Sequence, residues 1–349
     1  MRYEHVCLES WAYELPKTVV PSSEIEASLA PLVQKFELPS GFFEILTGIR
    51  EKRLWDESVR PSTISTQTAQ KALTSADLAA KDIQFLVHCS VSRDFLEPAT
   101  ALVVHRNLGL AESTHCFDIS NACLGFLNGL MVIADMIETG HIQRGMVVAT
   151  ETPKKLINAI FEKLKLQSTL TLQDAQVYFP TLTLGSGSCA FILAHRSVSK
   201  TGHRILGGIA QTASEYHGVC QAGPDMGIVD SESSISMQTQ AQKLIEGAKT
   251  LATHTWPLFL QELHWQVPDI HHIFSHQVGR TPRTELIQAL KVSETLDFPT
   301  YDTLGNMASV SLPISFAMGI QKRNVKPKDH IVFFGFGSGI HCLCLGIQW

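Results

Sequence analysis

The stretch "FDISNACLGFLNGL", residues 117–130, sets one cysteine, Cys123, between small residues and an apolar run that continues as "MVIADMI". Phe117, Asp118 and Ile119 read as the end of a strand, and Ser120 and Asn121 are residue types that cap helix N-termini. Cys123 then falls in the first turn of a helix whose apolar residues run nearly all round it, the pattern of a buried helix. Unpaired N–H groups and the positive end of the helix dipole favour a thiolate there. The dipole contributes only about 1 kcal/mol, less than one pKa unit. A nucleophile at this position therefore needs partners from elsewhere in the chain. A buried structural cysteine is the competing reading.

Strand-like and helical stretches alternate through most of the 349 residues. "IQFLVHCS" (83–90), "GMVVATET" (145–152), "SCAFILAH" (188–195), "IHHIFSHQ" (270–277) and "HIVFFGFGSG" (330–339) read as buried strands. Between them, "TISTQTAQKALTSADL" (63–78), "LVVHRNLGL" (102–110), "LNGLMVIADMIETG" (127–140) and "RTELIQAL" (283–290) carry helical patterns. The alternation predicts an α/β fold with helices packed on sheets. Residues 151–181 are more polar, without a clear strand, and read as an insertion capping one end of the sheet.

The chain also resembles itself. "QFLVHCSVSRD" (84–94) is followed by "FDISNACLGFLNGLMVIADMI", and "HHIFSHQVGR" (271–280) is followed at similar distance by "TYDTLGNMASVSLPISFAMGI" (300–320). Each pair reads as buried strand, polar turn, helix, short strand, then a small-residue turn into an apolar helix. A duplicated α/β unit explains this, with chance similarity as the alternative. If the copies pack about a pseudo-twofold axis, Cys123 at one helix start, Asn306 at the other and His276 at a strand end meet at one point. A thiol with an imidazole and a carboxamide is a nucleophile with two hydrogen-bonding partners. Taken singly, His276 and Asn306 are ordinary core and turn residues.

Composition excludes several classes. Hydrophobic residues make up 44% and charged ones 17%, which places the chain among globular proteins. A net charge of −5 without blocks of like charge argues against nucleic acid as a partner. No apolar run reaches the roughly 18 residues of a membrane span. The opening "MRYEHVCLESWAYELP" lacks the apolar core of a signal peptide, so a cytoplasmic protein is expected. The eight cysteines form no C-x-x-C pair, and in a reducing cytosol no disulfide is expected. "CLC" at 342–344 alternates as a strand does, with both thiols structural. His271, His272 and His276 lack the H-E-x-x-H pattern, so no metal is expected. "GFGSGI" lacks the spacing of a dinucleotide site, and "GSGSC" only loosely resembles a nucleophile elbow.

"DISNACLGFLNGL", "FSHQVGR", "LGNMASVSLP" and "FGFGSGI" resemble, in order and spacing, the motifs of the thiolase-fold condensing enzymes. The similarity covers essentially the whole chain and is closest to the ketoacyl-ACP synthase III branch. "SVSRDFLEPATA" (90–101) and "GIREKRLWD" (48–56) resemble the OleA-type synthases, which join two long-chain fatty acyl-CoA molecules head to head without loss of CO2. The resemblance implies two pseudo-duplicated βαβαβαββ halves, 1–198 with Cys123 and 199–349 with His276 and Asn306, stacked as five αβαβα layers. It implies Cys123 as the acylated nucleophile, with His276 and Asn306 binding the carbonyl of the second acyl thioester. The backbone N–H groups of Cys123 and Ser338 would form the oxyanion hole.

A non-decarboxylating condensation needs a base for the α proton. The resemblance assigns this to Glu97 of "SRDFLEPAT", supplied in trans by the partner subunit of a homodimer. A loop carboxylate in a surface ion pair is the plainer reading of Glu97. Fatty acyl-CoA is implied as substrate, with no cofactor, and acyl carrier protein or downstream olefin-pathway enzymes as further partners. Two other readings stand beside this one. A decarboxylative 3-oxoacyl-ACP synthase III taking acyl-CoA and malonyl-ACP is opposed by Glu97, and a non-catalytic partner subunit is opposed by the intact Cys, His and Asn.

Overall fold

Alternate residues along the buried strands face two different sets of helices, and this fixes the layers. The structure, a computed structural model, describes residues 1–166, 169–223 and 235–349. Its main sheet is built from β1 (Val6–Glu14), β2 (Phe85–His88), β3 (His115–Asp118), β4 (Arg144–Glu151), β5 (Gly187–His195), β6 (Arg204–Thr212), β7 (Ile270–Ser275), β8 (His330–Gly337) and β9 (His341–Gln348). Their spatial order is β7-β8-β9-β6-β1-β5-β4-β2-β3. β2 pairs parallel with β3 and β4, and β7 pairs parallel with β8; the remaining pairs are antiparallel. The run β2-β4-β5-β1 thus repeats as β7-β8-β9-β6, joined at Cys7 opposite Arg204. A parallel bridge between Ile273 and Asp297 stands where β3 stands in the first copy.

Six helices complete the layers: α1 (Pro61–Ala76), α2 (Thr100–Leu108), α3 (Gly125–Glu138), α4 (Ala241–Leu263), α5 (Arg280–Leu290) and α6 (Ser311–Lys322). Val147, Phe191, Phe333 and Leu343 pack with Phe126 and Leu130 of α3 and with Ile314 and Phe316 of α6 in one central core. The intervening residues Met146, Val148 and Ile192 pack outward on Leu73 of α1 and Val104 of α2. Val332, Phe334 and Cys344 pack outward on Trp256 of α4 and Leu286 of α5. The sequence of layers is helices, half-sheet, α3 with α6, half-sheet, helices, the five-layered thiolase arrangement. Edge-to-face aromatic pairs lace the central core, with Phe126 and Phe191 rings 5.0 Å apart; such a pair adds about 1 kcal/mol beyond area burial. α3 lies close on β2 because Gly129 has no Cβ, which would otherwise collide with the Cys89 sulfur.

Three elements escape a reading by periodicity: β1, β6 and α4. β1 carries Glu9 and Ser10 inside the fold, which breaks its apolar pattern. Glu9 accepts from Ser199 Oγ at 2.6 Å and from the Lys200 N–H, and Ser10 Oγ donates to the Ala72 carbonyl at 2.6 Å. These partners lie far along the chain. Glu151 closes β4, and the segment after it forms helices Lys154–Leu166, Leu172–Gln176 and Phe179–Leu182. Their Ile157, Ile160 and Phe179 share a separate core with Ile25, Leu29 and Phe43. No helix among the described residues is long and apolar enough to cross a membrane.

Candidate active site

After β3 the chain turns through Ala122, whose φ of +47° lies in the left-handed region, and α3 begins at Gly125. The Leu124 N–H donates to the Asn121 carbonyl at 3.0 Å. Cys123 therefore sits on the turn just ahead of the helix, not within its first turn, and Leu124 holds the N-cap position. Asn121 does not cap α3; its Nδ2 donates to Asn128 Oδ1 at 2.7 Å. A left-handed alanine costs on the order of 1–2 kcal/mol, so the fold holds this turn against its local preference.

The expected thiolate is not the resting state. Burial, then the facing groups Cys220 and Glu151, push the half-buried Cys123 thiol well above the usual thiol range; its own N–H opposes them. The dipole's contribution of about 1 kcal/mol is outweighed by desolvation. The thiol rests protonated.

In the second copy Ala308 repeats the φ of +47°, and Ser309 follows it as Cys123 follows Ala122. Ser309, not Asn306, thus holds the place equivalent to Cys123. Asn306 lies three residues earlier, with its N–H on the Thr183 carbonyl and its carbonyl accepting from Gly185, both at 2.9 Å. Its Oδ1 accepts from the Ala308 N–H at 2.9 Å, which orients the side chain with its amide N–H2 left to donate. Lys52, fully buried, braces this corner by donating from Nζ to the Leu182 carbonyl at 2.6 Å; burial lowers its pKa to about 7.

His276 directly follows β7, where its N–H donates to the Phe334 carbonyl of β8 at 3.0 Å. Its Nδ1 is buried and has no hydrogen-bond partner among the described residues, and burial lowers the imidazole pKa to about 4, so it stays neutral near pH 7. Ser338 follows Gly337 at the end of β8. A Cβ on Gly337 would lie 3.3 Å from the Asn121 carbonyl and 3.4 Å from the Leu124 N, so β8 touches the Cys123 turn on both sides of the cysteine. Glu151 closes the circle. It acts on the Cys123 thiol and accepts from Ser309 Oγ at 2.5 Å, three residues from Asn306. The turns that carry Cys123 and Asn306, and the residue after β7, His276, thus lie toward the C-terminal ends of β3, β4, β7 and β8.

Glu97 is not part of that set within one chain. It lies exposed on the loop between β2 and α2, beside Phe95 and Leu96, which are 40% and 50% exposed. It is not among the charges that act on Cys123. Glu151 and Ser309 escape the sequence reading, although a carboxylate closing the apolar strand "GMVVATE" is the signal for a buried charge held for a purpose.

His276 makes stability pH-dependent in a definite direction. Its folded pKa is depressed to about 4. The folded chain therefore refuses a proton that the unfolded chain binds below about 6.5. This contribution is complete above pH 6.5 and is lost as pH falls toward 4. At pH 5 the loss amounts to about 2 kcal/mol. Urea unfolding at pH 7 and pH 5 should show a smaller drop for His276→Asn than for the wild type; an equal drop would contradict the buried neutral imidazole.

The sequence signature of the 3-oxoacyl-[acyl-carrier-protein] synthase III family matches residues 117–212, and its C-terminal counterpart matches residues 260–349. The acyl-CoA:acyl-CoA alkyltransferase of Shewanella oneidensis is 38% identical over 355 aligned positions, covering all of both chains. That of Xanthomonas campestris is 31% identical, again over the whole of both. A crystal structure of a Xanthomonas campestris OleA variant with lauric acid and lauroyl-CoA bound superposes with a TM-score of 0.93 at 28% identity, covering 99% of this chain and 100% of that one. With its motifs, its layered fold and its end-to-end similarity in agreement, the chain belongs to the acyl-CoA:acyl-CoA alkyltransferase family.

Proposed function

We propose that this chain is an acyltransferase of the cytoplasm that joins two long-chain fatty acyl-CoA molecules by a non-decarboxylative Claisen condensation, giving a 2-alkyl-3-ketoacyl product. What supports the reading is the end-to-end alignment with acyl-CoA:acyl-CoA alkyltransferases, together with a half-buried thiol at Cys123, a neutral imidazole at His276 and an oriented amide at Asn306 on segments that lie toward one end of the sheet.

Cys123 sulfur attacks the first thioester carbonyl, the thiol proton passes to the departing CoA sulfur, and the acyl group rests on Cys123. The N–H groups of Cys123 and Ser338 hold the oxyanion formed on the way. The second acyl-CoA places its carbonyl oxygen against His276 and Asn306, two neutral donors suited to a developing enolate. Glu97 of the partner subunit removes the α proton, the enolate carbon attacks the acyl-Cys123 carbonyl, and the carbon–sulfur bond to Cys123 breaks as the carbon–carbon bond forms. These steps call on no cofactor.

The assay offers purified protein a single long-chain acyl-CoA. Free CoA and a 2-alkyl-3-ketoacyl-CoA should appear without further substrate, or the 3-ketoacid that water releases from that thioester with a second CoA, and the ketone formed by its loss of CO2. Dependence on malonyl-ACP would replace this reading with the decarboxylative one, and no CoA release at all would leave a non-catalytic subunit.

A further inference from the structure

Glu151 is a carboxylate with no place in the chemistry above, yet it is 3% exposed at the inner end of β4. A buried carboxylate is expensive to desolvate, and an apolar residue of similar size is often no worse for stability. Four donors converge on it. The Val91 and Ser92 N–H groups approach at 3.0 Å, Ser92 Oγ at 2.9 Å and Ser309 Oγ at 2.5 Å. Two neighbouring bonds extend this clamp, from the Thr152 N–H to Ser92 Oγ at 2.9 Å and from the Thr150 N–H to Ser90 Oγ at 2.7 Å.

The loop that starts in this clamp is the one that carries Glu97. Its far side is held as firmly. Asp94 accepts from the Ser62 N–H at 2.9 Å and Oγ at 2.5 Å, and Asp118 accepts from the Thr100 and Ala101 N–H groups, each at 2.8 Å. Between these anchors Phe95, Leu96 and Glu97 stand exposed. The loop is therefore a rigid arch whose crown faces outward and whose footing lies in the chamber of its own Cys123.

We propose that Glu151 is a positioning residue that ties this arch to the Ser309 turn, so that the nucleophile chamber of one subunit sets the aim of the base that it supplies to its partner. This rests on the reading of Glu97 as a base acting in trans. It accounts for the burial of the carboxylate, whose bonds reach two segments of the chain, the arch and the turn that carries Asn306, and fix each relative to the other. An amide there would turn an N–H2 group toward N–H donors and break the clamp.

Mixed dimers of differently tagged copies test it. One copy, the donor, carries Cys123→Ala, so only the partner can be acylated, and that partner draws its base from the donor. Adding Glu151→Gln to the donor should lower condensation roughly 10-fold at the partner's intact site, because a displaced base loses rate steeply. CoA release from acylation at that intact site should stay unchanged. A structural defect confined to the donor's own chamber would not produce this split. Ser92→Ala in the donor removes one strand of the clamp without touching the carboxylate, and should lower condensation about threefold. It decides the matter if the Gln variant does not assemble. Wild-type condensation with either donor overturns the tether. A donor carrying Glu97→Gln is the control: if it leaves condensation intact, the base reading falls, and the proposal with it.

Discussion

Cys123→Ala should abolish acyl-enzyme formation and leave the fold standing. Intact-protein mass spectrometry after incubation with an acyl-CoA should find one acyl group on the wild type and none on the variant, with CoA release at background. The side chain is half-buried on a turn, so its loss should cost about 1 kcal/mol of stability or less. Alkylation offers a second check. Cys7, Cys89, Cys189, Cys342 and Cys344 are buried, whereas Cys116, Cys123 and Cys220 are half-buried. Selectivity for Cys123 over Cys89 and Cys189 then follows from access rather than from a resting thiolate. Equal labelling of Cys89 or Cys189 with activity retained would remove Cys123 as nucleophile.

A raised thiol pKa also says when the proton leaves. A thiolate that is scarce at rest must form as the thioester is attacked, and the departing CoA sulfur is a ready acceptor for the proton.

Glu97→Gln should leave acylation of Cys123 intact and lower condensation by about 100-fold or more. The α proton of a thioester is too weakly acidic for a solvated carboxylate to remove unaided. In a single chain Glu97 is exposed, so the desolvation that would make it a stronger base must come from a partner covering Phe95, Leu96 and Glu97. Complementation reads this directly. Subunits carrying Cys123→Ala and subunits carrying Glu97→Gln should each be inactive in condensation. Random mixing into twofold dimers should restore about a quarter of the wild-type rate, since half the dimers are mixed and each holds one complete site. No recovery in verified mixed dimers, or a Gln variant that condenses at the wild-type rate, would reject the base in trans. A Gln variant that cannot be acylated would make Glu97 structural.

The sequence by itself determined the elements whose pattern is local. "FLVH", "GMVVATE" and "HIVFFGFG" form strands because short, continuous apolar runs rich in β-branched and aromatic residues suit a sheet covered on both faces. α3 is buried because "GFLNGLMVIADMI" is apolar on nearly every side. The motifs around Cys123, His276 and Asn306 were legible for the same reason, since a turn between a strand and a helix is written in adjacent residues. Tertiary structure decided the rest. It made Ser309 the counterpart of Cys123 through matched backbone angles at Ala122 and Ala308, and it turned the expected thiolate into a protonated thiol. It hid Glu9 and Glu151 among donors distant in the chain and left Glu97 facing outward. Backbone propensity acts between neighbours, but desolvation and the field at a buried group are sums over everything packed around it, and that packing exists only once distant segments have met.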